Sequence, residues 1–278
     1  MFQRILSRAA FYVVLAIGLF YILFPFYWMI VNSLKPSAEL FATPLSYWPR
    51  QLTLDNYRAV LADGSFVRSI VNSMIVAGGA TVLSLALSSM AAYALARYKF
   101  AGKQVTLYTI LGMSTFPQIA VLGGLFTLAR TLGIYNTYWA LILSYMIFTL
   151  PFCVWVLTSF IKEIPDTLDE AATIDGASPW QLLWKVIIPL AGPGLVATGL
   201  LSFINAWNEF LFALTLTADN QARTVPVAVA LFSGQSEHEL PWGKITAAST
   251  VVTVPVVLLA LVFQKRIVEG LTSGAVKG

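Results

Sequence analysis

The chain has 278 residues, 58% hydrophobic and 11% charged, with a mean hydropathy of +0.77. Soluble domains carry roughly 25% charged residues, so there is too little charge here to cover a soluble globule, and a multi-span membrane protein is expected. The formal net charge of +4 does not point to nucleic acid, because the basic residues are scattered rather than striped.

Six apolar segments reach the roughly 20 residues that a bilayer requires. They lie at approximately 11–33, 67–96, 105–128, 138–160, 190–214 and 245–264. The first follows Arg4 and Arg8, as in a signal peptide. Its apolar run is too long for one, and no small-residue cleavage site follows, so a retained helix is expected.

Between the first two spans, Lys35 to Phe66 is polar and aromatic. A short interfacial helix is expected there, with Tyr47 and Trp48 at headgroup level. Span two carries Ser69, Asn72, Ser73, Thr81, Ser84, Ser88 and Ser89. Small polar residues of this kind permit close helix packing and interhelical hydrogen bonds. The following loop packs Arg97, Lys99 and Lys103 into seven positions. Placing that loop in the cytoplasm gives ten basic residues inside and seven outside, which sets both termini in the cytoplasm by the positive-inside rule. Pro117 interrupts span three and Pro151 span four, and a proline kinks a helix by freeing a carbonyl.

The stretch Glu163–Pro193 holds five of the thirteen acidic residues and lies between two apolar runs. A structured cytoplasmic loop of two short helices with a corner is expected over 161–189. Pro165 suits a first helical position, and Asp166, Asp169 and Glu170 favour the positive end of a helix dipole. Gly176 is a natural stop. Ser178, Pro179 and Gln181 then have capping-box spacing, and Pro189 ends or bends the second helix. Ala171 and Ala172 put little side chain on the surface, while Leu168 and Ile174 add apolar contact. Such a face admits another protein's backbone; the plainer reading is a surface helix on lipid headgroups.

In span five, Thr198, Ser202, Asn205 and Glu209 are spaced by four, three and four. That spacing places them on one helix face, with Asn208 beside the stripe. They read either as a polar lining open to the outside, with Trp207 and Phe210 offering flat ring faces, or as packing contacts with Glu209 an interfacial anchor. The external segment from roughly 217 to 244 is long enough to suggest function. Its apolar centre, 225–232, suits a short buried helix or strand.

Chemistry within the chain is not expected. Cys153 lies in an apolar run and reads as packing, and His238 as a loop residue. One Cys and one His make a metal site implausible. Gly102-Lys103-Gln104 and Gly243-Lys244-Ile245 both fail the phosphate-binding-loop pattern, so ATP is not expected to bind here.

Glu170-Ala171-Ala172, then Gly176, then Val186-Ile187-Ile188-Pro189, resembles the EAA loop of ABC importer permeases. Val186 and Ile188 depart from the family's Ile and Leu, conservatively in volume. The extended form Glu170 to Ser178 is similar to the carbohydrate branch, the maltose- and trehalose-type permeases. Leu54-Asp55-Asn56-Tyr57, Trp207-Asn208-Glu209-Phe210-Leu211 and the Gly270–Gly278 tail resemble the same branch.

The resemblance implies an all-α polytopic fold: one permease domain of six transmembrane helices with a cytoplasmic coupling helix, in the inner cell membrane. It implies that Glu170, Ala171, Ala172, Asp175, Gly176 and Pro189 couple the chain to a separate ATPase. Thr198, Ser202, Asn205, Asn208 and Glu209 are then expected along the substrate path. The implied partners are a second homologous permease subunit, two ATPase subunits that use ATP and Mg, an extracytoplasmic sugar-binding protein and the lipid bilayer. No cofactor, metal or catalytic residue is expected in this chain.

Three other readings stay open at this point. An ABC permease for a non-sugar solute would keep the loop and differ in span five. A secondary transporter is expected to show paired interrupted helices in two repeats, and the sequence shows no such symmetry. An intramembrane enzyme needs clustered nucleophile, acid and base groups, which an isolated Glu209 does not provide.

Overall fold

The computed structural model describes residues 2–232 and 240–273, and the regular structure among them is helical. Glu237, His238, Glu239 and the end of the tail, residues 274–278, lie outside the described residues. In chain order the first elements are α1 (Phe2–Ser33), α2 (Ser37–Leu40), α3 (Asp55–Ala62), α4 (Gly64–Arg97), α5 (Lys103–Ser114), α6 (Gln118–Thr131) and α7 (Tyr138–Glu163). The loop after α7 holds α8 (Thr167–Ile174) and α9 (Pro179–Leu182), then a π-helical turn (Leu183–Ile187) and α10 (Ile188–Leu190). The remainder is α11 (Gly192–Trp207), α12 (Leu211–Leu216), α13 (Val225–Ala230) and α14 (Trp242–Ser273).

Four of these helices are long and apolar enough to cross a membrane, and two bent pairs raise the number to six. The first bent pair is the expected third span. Pro117 does more than kink it: α5 and α6 meet at 88°. Pro117 adopts an extended conformation, with ψ 122°, and starts α6. The hydroxyls of Ser114 and Thr115 donate to the carbonyls of Leu111 and Gly112 at 2.6 and 2.8 Å. These hydroxyls add bonds to carbonyls at the end of α5, where helical amide partners run out; the Gly112 carbonyl also accepts the Thr115 amide at 3.2 Å. The second bent pair joins Pro179–Leu190 to α11 at 80°.

The chain forms two compact units. The first comprises Met1–Val67 and Val229–Val254. Here Lys35 is almost fully buried; its Nζ donates to the Ser46 carbonyl at 2.6 Å and lies 4.7 Å from the Trp28 ring centroid. Asn56, on the short helix expected after Leu54, donates to the carbonyls of Ser33 and Lys35 at 3.0 and 2.9 Å. Glu39 accepts the Arg50 amide at 2.9 Å and the Ser46 hydroxyl at 2.7 Å. Those bonds hold its carboxyl below the ordinary carboxylate value, the Arg50 amide contributing most.

The second unit comprises Arg68–Ala228 and Pro255–Gly278. Its buried polar residues on α4 pack as expected. Ser84 and Thr149 share a 2.7 Å hydrogen bond, Ser73 accepts the Val225 amide at 2.8 Å, and Asn72 donates to the Asn220 and Arg223 carbonyls. Cys153 is buried and lies 3.0 Å from the Ser202 hydroxyl. The apolar centre after Thr224 is the short helix α13, with Val225 and Val227 buried.

Candidate functional site

The loop between α7 and α11 is built from local chemistry. α8 begins at Thr167, two residues after Pro165, and Asp166 occupies its N-cap position. Asp169 and Glu170 lie in its first turn, where amide dipoles favour negative charge. At the other end Asp175 is the C-cap, and Gly176 follows with φ +82°. The Gly176 amide donates to the Thr173 carbonyl at 3.0 Å and the Ala177 amide to the Ala172 carbonyl at 2.9 Å. These paired bonds are a Schellman motif, which requires the left-handed conformation at the glycine position.

The chain restarts immediately. The Ser178 hydroxyl accepts the Gln181 amide at 3.3 Å, and the Gln181 side chain accepts the Ser178 amide at 2.9 Å. The two residues cap the second helix reciprocally. Four residues before Pro189, the Lys185 carbonyl faces a ring with no amide to offer. The helix widens into its π turn over Leu183–Ile187 there.

The loop has an inner and an outer face. Ala172 packs against a buried cluster that includes Leu157, Ile161, Leu182, Leu183 and Ile187. Glu170, Ala171 and Asp175 are exposed, and Ile174 is 86% exposed. The adjacent alanines therefore serve different sides: Ala172 lets α8 approach its own bundle, and Ala171 stays on the surface. Sequence reading missed Arg97. Its guanidinium lies 2.6 Å from Asp166 and 2.7 Å from Asp169, and it donates to the Ile164 carbonyl at 2.9 Å. The Asp169 contact is ionic, without hydrogen-bond alignment.

A second feature lies at the far end of α11. The expected polar stripe assumed one helix through Glu209. The structure corrects this: α11 ends at Trp207, with Asn208 as C-cap, and α12 starts at Leu211. Asn208 folds its Nδ2 onto the Ile204 carbonyl at 2.8 Å. Glu209 accepts the amides of Phe212 and Ala213 at 2.8 and 3.1 Å. Glu209 thereby satisfies first-turn amides of α12 that have no helical partner, while the Asn208 side chain joins its own amide on the Ile204 carbonyl.

The break divides the five residues. Thr198 and Ser202 are buried; Thr198 donates to the Gly194 carbonyl at 2.7 Å, and Ser202 meets Cys153. Asn205, Asn208 and Glu209 instead line a cavity of about 550 Å³ with Gln118, Leu201, Ile204, Phe210 and Leu211. Trp207 does not offer a ring face here. It is buried and stacks on Phe203 at 5.7 Å, while Phe210 is 38% exposed at the cavity wall. Gln118 was not legible as a lining residue, since only the 88° break swings the start of α6 to this wall. Three carboxamides provide both donors and acceptors. Among the described residues, none that lines the cavity is basic.

Outside the spans, Asp219 accepts from Asn136 at 3.0 Å, which holds its carboxyl below the ordinary value. No group of three or more His, Cys, Asp or Glu suited to a metal occurs among the described residues.

Residues 84–273 match the family described as "Binding-protein-dependent transport system inner membrane component". The chain is 47% identical over 258 residues to the trehalose/maltose transport system permease protein MalG of Thermococcus litoralis, covering 92% of each. It is 44% identical to the trehalose transport system permease protein SugB of Mycobacterium tuberculosis, covering 93% of each. It is 42% identical to the sulfoquinovosyl glycerol transport system permease protein SmoH of Agrobacterium fabrum, covering 92% of this chain and 89% of that one. Among solved structures, a bacterial ABC transporter involved in import of the acidic polysaccharide alginate has the same fold. The TM-score is 0.81, with 24% identity over 94% of this chain and 96% of that one. The chain belongs to the binding-protein-dependent transport system inner membrane components, as a multi-pass permease subunit of an ABC importer that acts in transport rather than catalysis.

Proposed function

We propose that this chain forms one half of the translocation path of an ATP-driven sugar importer. It works beside a second, related permease chain, with two ATPase subunits that bind ATP and Mg and an extracytoplasmic protein that delivers the sugar. Both termini lie in the cytoplasm, so α8 faces the ATPase. Glu170, Ala171, Asp175 and Ile174 form the contact face, Gly176 fixes its corner, Ala172 seats it on the bundle, and Pro189 shapes the π turn that leads into α11.

The observation that carries this reading is the outward face of α8: a helix with Ala171 and Ile174 exposed, ending at a corner that only a left-handed residue closes. An exposed apolar residue beside a small one suits a partner's groove. The sugar assignment is supported by three relatives whose names carry sugar or sugar-glycoside cargo, and by the carboxamide cavity. Asn205, Asn208 and Gln118 offer hydrogen bonds to hydroxyls, and Phe210 an apolar ring. Without a basic lining residue, the cavity favours a neutral sugar, a disaccharide in size, over an anionic one. Glu209 holds the cavity wall, and Thr198 and Ser202 hold the helix behind it.

Transport follows if the ATPases bind the loop differently in two states, since only a differential affinity shifts a conformational equilibrium. Uptake of labelled sugars into vesicles holding the full complex tests the cargo. Neutral disaccharides are expected to be taken up and anionic sugars excluded; the reverse preference overturns the cargo assignment. Crosslinking of Ile174→Cys to an ATPase subunit tests the contact face, and absence of any crosslink overturns it.

A further inference from the structure

We propose that Arg97 is the positioning residue that ties the ATPase-facing helix α8 to the transmembrane helix α4, so that the two move as one body. The inference rests on the coupling role of α8 proposed above.

The geometry is specific. Arg97 is the last residue of α4, and its side chain is only 8% exposed. It reaches three separate points. Its Nη2 donates to the carbonyl of Ile164, which closes α7, at 2.9 Å. Its Nη1 lies 2.6 Å from Asp166, the N-cap position of α8, and its Nε 2.7 Å from Asp169 in the first turn of α8. The planar fork of a guanidinium can hold such a set of acceptors at once, whereas an ammonium acts as a point charge. Asp169 is 17% exposed on its side chain, while its neighbour Glu170 is exposed. The acidic first turn of α8 is thus split: Asp169 faces its own scaffold, and Glu170 faces outward.

Two other charges lie close by. Lys99 is exposed, and Lys103 donates to the carbonyls of Ala96 and Tyr98 at 3.2 Å. In the hydrogen bonds and ion pairs among the described residues, Asp166 and Asp169 are paired with Arg97 and with neither lysine. A partly buried ion pair is screened less than a surface one, so the Arg97–Asp169 contact, between side chains 8% and 17% exposed, should weaken less with salt than the one to the exposed Asp166.

α4 also touches the wall of the cavity helix. A Cβ placed on Gly199 of α11 would lie 2.9 Å from Leu85 Cδ1 of α4. Movement of α8 therefore has a contiguous, packed route: through Arg97 to α4, and from Leu85 to the helix that carries Leu201, Ile204 and Asn205. A sequence reading takes Arg97 only as part of a basic loop that sets topology.

The test uses the full importer in vesicles, with uptake and ATP hydrolysis measured on the same preparation. Arg97→Gln is expected to lower sugar moved per ATP hydrolysed about fivefold or more, the lower end of typical coupling between sites. The amount of inserted chain should be unchanged. Arg97→Lys is expected to fall between wild type and Arg97→Gln. Asp169→Asn, which leaves α4 untouched, should move the ratio in the same direction by less, since Asp166 and Ile164 remain. A folding role alone would lower uptake and hydrolysis together and leave their ratio at the wild-type value. That result in Arg97→Gln overturns the proposal, as does a wild-type ratio at full insertion. Crosslinking of Ile174→Cys to the ATPase in an otherwise wild-type chain separates the two readings. Its absence overturns the coupling role of α8 itself, and its presence with an unchanged ratio in Arg97→Gln overturns only the role of Arg97.

Discussion

The Ala177 amide donates to the Ala172 carbonyl at 2.9 Å, across a Gly176 with φ +82°. The bond closes α8 and fixes the direction in which the chain leaves it. A Cβ on Gly176 would meet nothing within 4 Å, so the cost of a side chain is backbone strain and not a clash. Gly176→Val should strain the corner by about 1–3 kcal/mol. The spans are held by the bilayer and their neighbours, so the protein should still insert. Co-purification of the ATPase should fall, or hydrolysis should continue without uptake. Gly176→Asn should be milder, because asparagine tolerates the left-handed region. Normal co-purification and normal uptake in Gly176→Val would refute the corner's role in coupling.

The capping box at Ser178 predicts a local effect of a different kind. Ser178→Ala removes the acceptor for the Gln181 amide and should cost about 0.5–2 kcal/mol. The loss should appear as faster amide exchange at Gln181, with exchange at Ala177, which bonds into α8, little changed. Equal acceleration at both amides would mean that the two short helices open as one unit.

The cavity predicts a division between neighbouring residues. Asn205→Ala removes a side chain that lines the cavity and should raise the sugar concentration for half-maximal uptake about 3- to 10-fold, the equivalent of one hydrogen bond. Assembly of the complex should be normal. Glu209→Gln keeps an acceptor for the amides of α12 and should retain most uptake. Glu209→Ala leaves those amides without it and should lose uptake with the wall. If Glu209→Gln is as damaging as Glu209→Ala, the carboxylate has a role beyond capping.

Orientation is checked by reporters. A fluorescent reporter inserted in the 98–102 loop should report the cytoplasm, and a phosphatase reporter near Gln51 should report the outside. Opposite signals would remove α8 from the ATPase side and overturn the contact face with it.

The Glu39 network predicts a pH dependence. Its carboxyl is held below the ordinary value by the Arg50 amide and the Ser46 hydroxyl. A carboxylate with a lowered native value contributes fully above its unfolded value, and that contribution is lost as pH falls through the native one. Exchange protection of the Arg50 amide, corrected for intrinsic rate, should therefore be flat from neutral pH down to the ordinary carboxylate range. It should fail only below that range, and Glu39→Gln should remove the pH dependence.

What the sequence determined by itself is what short-range physics controls. Span length is a matter of composition and rise per residue. Gly176 and Ser178 with Gln181 act within four residues of themselves, so their consequences were legible before any fold was known, as was an interruption at Pro117, though not its 88° angle. The EAA resemblance is equally local, a pattern within one loop. Tertiary structure decided the rest. Helical spacing predicted a single face from Thr198 to Glu209, and the break after Trp207 annulled it. Glu209 caps the first turn of α12 there, which a continued helix would not allow. Ala171 and Ala172 look equivalent in sequence, and packing against Leu182 and Ile187 sends only Ala172 inward. Gln118 joins the cavity through the 88° turn of α6, and Arg97 finds Asp166 and Asp169 across more than two intervening helices. Partners that far apart along the chain are set by how helices pack, which periodicity and capping rules do not encode.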